Sequence, residues 1–373
     1  MKFSCEKHLL QTAVAAASRA ASAKSPISAL EGLLIEAGAG VRVTGYDLKK
    51  GIYMNIEADV AQTGSAVLMT AKLFSEMMRL LPDGIVTVEV GEDSRASVKC
   101  GQSEYSFMAL PAADYPELPE VDESEAIRIP QKVLRSMIDE SIFAVSTNES
   151  RPIHTGSLFE VSEDKTLTVV SVDGYRLALR KETVEEITGK PNFSFVVPAA
   201  ALSEVEKICG ESEEMAEIVV GTRHVMFKVG DTMLVSRRLE GEFLAYRQAI
   251  PRNNTIHVEG DTRALLSSID RVSLIISDKL KSPLRCVFDS NLLKISTKTA
   301  IGDAYDECPL SGDGGGLEIG FNNKYLMDAL KAAPADKVRL ELTTGVSPCV
   351  ILPTEGEENF LYMVLPVRLK AGE

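Results

Sequence analysis

The chain has 373 residues, 45% of them apolar, which is enough for two or three domains that each bury a core and excludes a largely disordered polypeptide. Its 54 acidic residues outnumber 40 basic ones, giving a formal charge of −14, so a uniformly basic polyanion binder is excluded and any nucleic-acid contact must use a local surface. No apolar stretch approaches the roughly 20 residues of a membrane helix, and Met1-Lys2-Phe3-Ser4-Cys5 does not open a signal peptide, so a cytoplasmic protein is expected.

Taken in chain order, the predicted elements repeat. Residues 1–20, 126–145 and 255–275 each read as a short strand of period two running into a helix with i, i+3, i+4 apolar spacing. A second layout follows each of these, over 66–110, 193–250 and 317–365. A strand (AVLMTA, FVVPAA, LEIGFN) leads into an amphipathic helix (KLFSEMMRLL, ALSEVEKIC, KYLMDALKAA), and alternating strands (IVTVEV, EIVVGT, KVRLEL) come after it. Matching positions Leu73, Leu202 and Leu326 recur at intervals of 129 and 124 residues, a domain-sized period too long for a solenoid. Three similar α+β domains are expected, over 1–120, 126–251 and 254–373, each with two helices packed on antiparallel sheets of about eight strands. The polar stretches Pro119 to Glu125 and Pro251 to Asn254 mark the boundaries.

Each predicted helix carries Lys or Arg, and if the helices share one side these cations could follow a phosphate backbone without reading sequence. Solvated helix faces are the plainer reading of the same residues. The six cysteines are scattered with no C-x-x-C pair, the four histidines form no i, i+4 pair, and no nucleophile elbow is present, so no metal, cofactor or catalytic residue is expected. Ser311 to Gly316 reads as a flexible connection, and Glu211-Ser212-Glu213-Glu214 as a solvated loop. Two segments remain: Ser171 to Ala178, with an Asp-Gly turn presenting Tyr175 and Arg176, and the apolar C-terminal run Phe360 to Leu369. They read either as a hairpin and a final strand, or as the lining of an apolar groove with arginine at its rim that grips a short peptide.

These residues, with Leu110-Pro111-Ala112-Ala113-Asp114-Tyr115-Pro116, Ile319-Gly320-Phe321-Asn322 and Tyr325, and the terminal Leu365-Pro366-Val367-Arg368-Leu369, resemble the bacterial DNA polymerase III beta subunit, the sliding clamp, from end to end. The resemblance implies a head-to-tail homodimer closing as a ring around double-stranded DNA, non-catalytic, which tethers the replicative polymerase and also receives the clamp loader and repair proteins. It implies a groove for short peptides of the Gln-Leu-x-Leu-Phe type. By position the groove would comprise His154, Val172, Gly174, Tyr175, Arg176, Leu177, Leu244, Gln248 and Ala249 on one wall. Asn322, Tyr325, Val346, Pro348, Met363, Val364, Leu365, Pro366, Val367 and Arg368 would form the other, with Arg176 or Arg368 pairing with polar or acidic peptide groups. DNA would face Lys24, Lys72, Arg79, Lys132, Arg135, Asn148, Arg151, Lys207, Arg271 and Lys331, and the subunit contact would join Tyr105 and Phe107 to Leu274 and Ile275. The chain departs from the family pattern at His154, where an apolar residue is usual, at Val172 for Thr, at Phe243-Leu244-Ala245-Tyr246 for Phe-Pro-Asp-Tyr, and at Gln248 for a frequent arginine.

Overall fold

The computed structural model describes residues 1–122, 124–277, 282–355 and 359–369. Glu123 of the first expected boundary and residues 370–373 of the third expected domain lie outside the described residues. The chain forms two compact units, one of residues 1–135, 184–191 and 200–238, the other of residues 136–183, 192–199 and 239–373.

The first unit holds two sheets. Five strands lie in the order Asp59–Gln62, Lys2–Glu6, Ile85–Val90, Arg95–Cys100, Ser103–Met108, so the last of these ends a sheet. A ten-stranded sheet runs from Leu110–Pro111 to Glu186–Thr188 and is joined at its centre where Lys50–Ile56 pairs with Thr232–Arg237, Leu234 opposite Ile52. Helix Lys7–Ser18 buries Leu10, Ala13, Val14 and Ala17, and helix Ala71–Leu80 buries Phe74, Met77 and Met78, the i, i+3, i+4 spacing seen in the sequence. These side chains share one core with Phe3, Val86 and Val88 of the smaller sheet and Leu33, Ile35 and Val43 of the larger. The second unit is built on one ten-stranded sheet, Phe193–Pro198 at one end and Leu284–Thr299 at the other. Its seam is the pairing of Arg176–Thr183 with Phe360–Val364, in which Arg176 faces Val364 and Leu177 faces Met363. Helices Thr262–Ser273 and Asn323–Ala332 pack on each other and are capped by Asp261, which accepts from the Ala264 N–H at 2.7 Å, and Asn322, which accepts from the Lys324 and Tyr325 N–H groups.

Every strand pair among the described residues is antiparallel, and the strand-into-helix succession holds in all three repeats. Among the described residues strand numbers differ from the expected eight: ten lie in 1–120, nine in 125–251 together with an unexpected short helix at Tyr246–Ala249, and six in 254–373. The last number is small because Leu284–Thr299 and Gly302–Phe321 form one long hairpin of 16 and 20 residues. The glycine run lies inside it. Register shifts at Phe288/Ser290 and Ser290/Leu292 make a bulge there, Gly312, Gly315 and Gly316 take φ of +113°, +63° and +72°, and a Cβ on Gly314 would stand 2.4 Å from Phe288. The run is therefore a bulge within paired strands and not a flexible connection.

Helix Lys7–Ser18 approaches strand Val41–Tyr46 closely at Gly45, where a Cβ would sit 1.9 Å from the Ala17 carbonyl oxygen. Gly45→Ala is expected to destabilise the protein by about 2–3 kcal/mol, because neither the helix backbone nor the strand can give way. Gly38→Ala, with nothing within 4 Å of the added carbon, should change stability by less than about 0.5 kcal/mol. Paired denaturant titrations check both values, and equal midpoints would contradict the close approach.

Candidate functional site

The seam in the second unit places the two conspicuous sequence segments side by side. The Asp173-Gly174 turn closes with Gly174 at φ +91°, Asp173 Oδ1 accepts the backbone N–H groups of Tyr175 and Arg176, and the Leu365 N–H donates to the Tyr175 carbonyl at 2.8 Å. Beyond Leu365 the chain bends at Pro366, and the Val367 N–H reaches the Gly320 carbonyl at 2.7 Å, beside the Asn322 cap. Val172, Leu177 and Met363 are buried in one cluster with Leu158, Tyr246 and Val350, and Val364 is buried in the neighbouring core. They form a floor. Above it Leu365, Pro366, Pro348 and Tyr325 are half-buried, while Tyr175, Val346, Leu244 and Val367 are exposed at 61%, 76%, 42% and 37%, an unusual set of large apolar side chains left in water. Tyr175 and Tyr325 stack at 6.0 Å between centroids. Arg368 is exposed at the same end.

Arg176 is already engaged within the chain. Its side chain is only 10% exposed, its Nε donates to Asp173 Oδ2 at 2.9 Å and its Nη1 to Asp328 Oδ2 at 2.6 Å, and its guanidinium carbon lies 4.5 Å from the Tyr325 ring centroid and 5.5 Å from that of Phe143. Two carboxylates of the chain thus lie on the guanidinium that was expected to pair with a polar or acidic peptide group. Asn322 is likewise committed as a helix cap.

The short helix Tyr246–Ala249, which carries Gln248 and Ala249, is fixed by Glu160, whose carboxylate accepts from the Tyr246 hydroxyl and from both Nη atoms of Arg247. Burial and this carboxylate push the Tyr246 hydroxyl well above the ordinary tyrosine range. Two cavities flank Leu244. One, of about 410 Å³, includes Leu158, Glu160, Phe243, Tyr246 and Gln248, and the other, of about 460 Å³, includes Arg151, Ile153, His154, Glu242 and Phe243. His154 is half-buried with its ring edge-on to Phe243 at 5.4 Å, and burial and the Arg151 charge hold its pKa below the usual imidazole value. Asp328, Phe143 and Glu160 were not singled out from the sequence, since the residues they meet here, Arg176 for the first two and Arg247 for the third, lie far from them along the chain.

The proposed DNA-facing residues are mostly on exposed helix surfaces. In the first unit Lys24 and Lys72 are exposed, while Arg79 pairs with Glu76 at 2.7 Å, Lys207 with Glu204 at 3.1 Å, Arg135 with Glu211 at 2.6 Å, and Lys132 with Glu213. The 211–214 run is thus a set of ion-pair partners that also accepts the first N–H groups of helix Gln131–Ile142, and not merely a solvated loop. In the second unit Arg271 pairs with Asp306 at 2.6 Å, Lys331 is exposed, and Asn148 orders its own loop by accepting the Ser150 N–H. Tyr105 and Phe107 lie on the sheet-ending strand Ser103–Met108, with Met108 60% exposed beside them. Leu274 and Ile275 stand just past the end of helix Thr262–Ser273, Leu274 being 81% exposed.

Among the described residues no three His, Cys, Asp or Glu side chains gather as a metal site. All six cysteines are free and buried, and burial pushes the thiols of Cys5, Cys209, Cys286, Cys308 and Cys349 up, Cys5 to about 11 and Cys209 and Cys349 to about 12, which keeps these five protonated and unreactive. No helix among the described residues is long and apolar enough to cross a membrane.

Comparison with known proteins matches three successive family models to the chain: the N-terminal, central and C-terminal domains of the DNA polymerase III beta subunit, over residues 1–119, 128–244 and 247–368. The beta sliding clamp of Halalkalibacterium halodurans is 33% identical, with 99% of this chain and 100% of the relative covered, and that of Staphylococcus aureus is 31% identical over 99% of each. The crystal structure of the Bacillus subtilis sliding clamp superposes with a TM-score of 0.93 at 31% identity, covering 99% of this chain and 100% of that one. A Pseudomonas aeruginosa clamp bound to griselimycin gives 0.93 at 27% identity over the same shares. The chain belongs to the bacterial DNA polymerase III beta subunit family, the beta sliding clamps, whose members are non-catalytic processivity subunits that close as head-to-tail homodimers around duplex DNA.

Proposed function

We propose that this clamp acts in the cytoplasm by receiving partner peptides in the groove of the second unit, on Tyr175, Leu177, Leu244, Tyr325, Val346 and Leu365, while its helix cations guide the encircled duplex. The observation that carries this reading is the exposure of Tyr175, Val346, Leu244 and Val367 above a buried apolar floor, which only a docked apolar ligand would cover. The ion pairs of the helix cations suit a sliding contact. Exposed pairs contribute about 0–1 kcal/mol each, so passing phosphates can exchange with the acidic partners without any one site holding the duplex. Topology then does the holding. Retention of the loaded protein on nicked circular DNA and its release on linearisation tests the encircling role; equal retention on both forms would overturn it.

At the groove, Leu365→Ala should weaken binding of a Gln-Leu-Ser-Leu-Phe peptide by about tenfold and leave the dimer mass unchanged, because a buried apolar anchor is typically worth 1–2 kcal/mol. Fluorescence anisotropy with light scattering reads both. At the subunit contact, Phe107→Ala and Ile275→Asp should each weaken dimerisation by on the order of 2 kcal/mol, checked by sedimentation equilibrium, and an unchanged constant would remove these residues from the interface.

His154 adds a pH dependence whose sign follows from its lowered pKa. The folded groove disfavours the imidazolium, and a peptide side chain packed over the ring disfavours it further, so affinity is full with the ring neutral and falls as pH drops through the ring's lowered pKa, below the ordinary value near 6.5. Arg151 opposes the charge and Glu242, on the same cavity, favours it. Amidated peptide should bind more weakly at about pH 5.5 than at about pH 7.5, and His154→Leu should flatten the profile. A profile unaltered by that substitution would assign the dependence elsewhere.

A further inference from the structure

We propose that Arg176 is a positioning residue of the groove, a tie between its two walls, and that it makes no direct contact with the bound peptide. This deepens the peptide-groove reading and rests on it. Three observations carry it.

The first is engagement and burial. Two of the guanidinium donors are spent on Asp173 and Asp328 at 2.9 and 2.6 Å, two aromatic rings lie within 5.5 Å of its carbon, and the side chain is 10% exposed. The second is charge. One guanidinium stands against two carboxylates, so an acidic peptide group arriving here meets a locally negative site and no free cation. The third is what the contacts join. Asp173 closes the turn that presents Tyr175, and Tyr325 and Asp328 belong to helix Asn323–Ala332 on the opposite wall. Through Arg176 the Tyr175 turn and that helix hold one spacing, seen in the 6.0 Å stacking of Tyr175 on Tyr325. The planar fork of arginine is needed for this. A lysine ammonium keeps the charge but cannot reach two carboxylates at fixed angles while lying against two rings.

The test uses the full-length chain and two labelled peptides, Gln-Leu-Asp-Leu-Phe and Gln-Leu-Ser-Leu-Phe, with Arg176→Lys, Asp328→Asn, the double variant, and Leu365→Ala as the groove control. Arg176→Lys and Asp328→Asn should each weaken both peptides by a similar factor, about three- to tenfold, and the double variant should bind no worse than the weaker single one, as expected when both changes break one interaction. Hydrogen exchange of segments 173–177 and 322–328 should quicken together in each single variant, a readout independent of peptide. Selective loss of the Asp-containing peptide in Arg176→Lys would show a direct contact and overturn the proposal, as would wild-type binding by Asp328→Asn, additive losses, or exchange that quickens on one wall only. If Leu365→Ala binds like the unmutated chain while the exchange result holds, the groove reading fails and the tie survives only as a stabilising contact, so the positioning role falls with it.

Discussion

The groove depends on one backbone interaction, the antiparallel pairing of Arg176–Thr183 with Phe360–Val364. These strands come from different repeats of the sequence, about 180 residues apart, and their register decides which side chains meet. With Arg176 opposite Val364 and Leu177 opposite Met363, alternation sends Leu177 and Met363 into the same apolar cluster. The chain ends that emerge from the pair, the Asp173 turn and the Leu365-Pro366 bend, then lie side by side, tied by the Leu365 N–H. A slip of one residue would turn every groove side chain to the other face. The first unit has a counterpart at Lys50–Ile56 with Thr232–Arg237, where no comparable set of exposed apolar residues follows among the described residues. The difference lies in what leaves the strands: Asp47-Leu48-Lys49, with the single exposed apolar side chain of Leu48, in one case, Tyr175 and Leu365 in the other.

Charge is organised on a second principle. A net charge of −14 works against binding a polyanion, and five of the cations proposed to face DNA carry a carboxylate partner within the chain. Pairs this exposed are weak and salt-screened, so they lower the standing positive potential without removing the donors. A protein retained by a closed ring gains from such moderation, since tight phosphate contacts would raise the barrier between neighbouring positions on the duplex. The interior pair Arg180 with Glu140 obeys the opposite rule. It is nearly inaccessible, and burial raises the Glu140 pKa even beside the arginine, so it is a fixed part of the second unit.

Features with a period were legible in the sequence. Helices such as 262–273 show their buried stripe, Leu265, Ile269 and Val272, at i, i+4 and i+7, and the strand-into-helix succession stands in each of the three repeats. The groove members on the Asp173 turn and the C-terminal run stood out because apolar residues met turn chemistry there. Features that depend on partners far along the chain stayed hidden. Nothing near Arg176 announces that Asp328, 152 residues on, will pair with it, and its place on the Asp-Gly turn beside apolar residues suggested a peptide contact. The glycine run misled for a related reason: flexibility and a tight bulge use the same residue, and only the opposing Phe288 distinguishes them.

A groove that must accept several partners through short peptides gains most from being built before they arrive. Ordering side chains on binding costs about 0.5–1.5 kcal/mol for each flexible group, a large share of what a five-residue peptide can return. Here the costs are met on folding: Asn322 is fixed as a cap, Tyr325 between Tyr175 and Arg176, and the 246–249 helix by Glu160. The side chains left free, Val346, Leu244 and Val367, are small or have few rotamers, so closing them over a ligand loses little entropy. On the proposed reading affinity rests on a few apolar anchors, and partners compete by how well those anchors fill the two cavities beside Leu244.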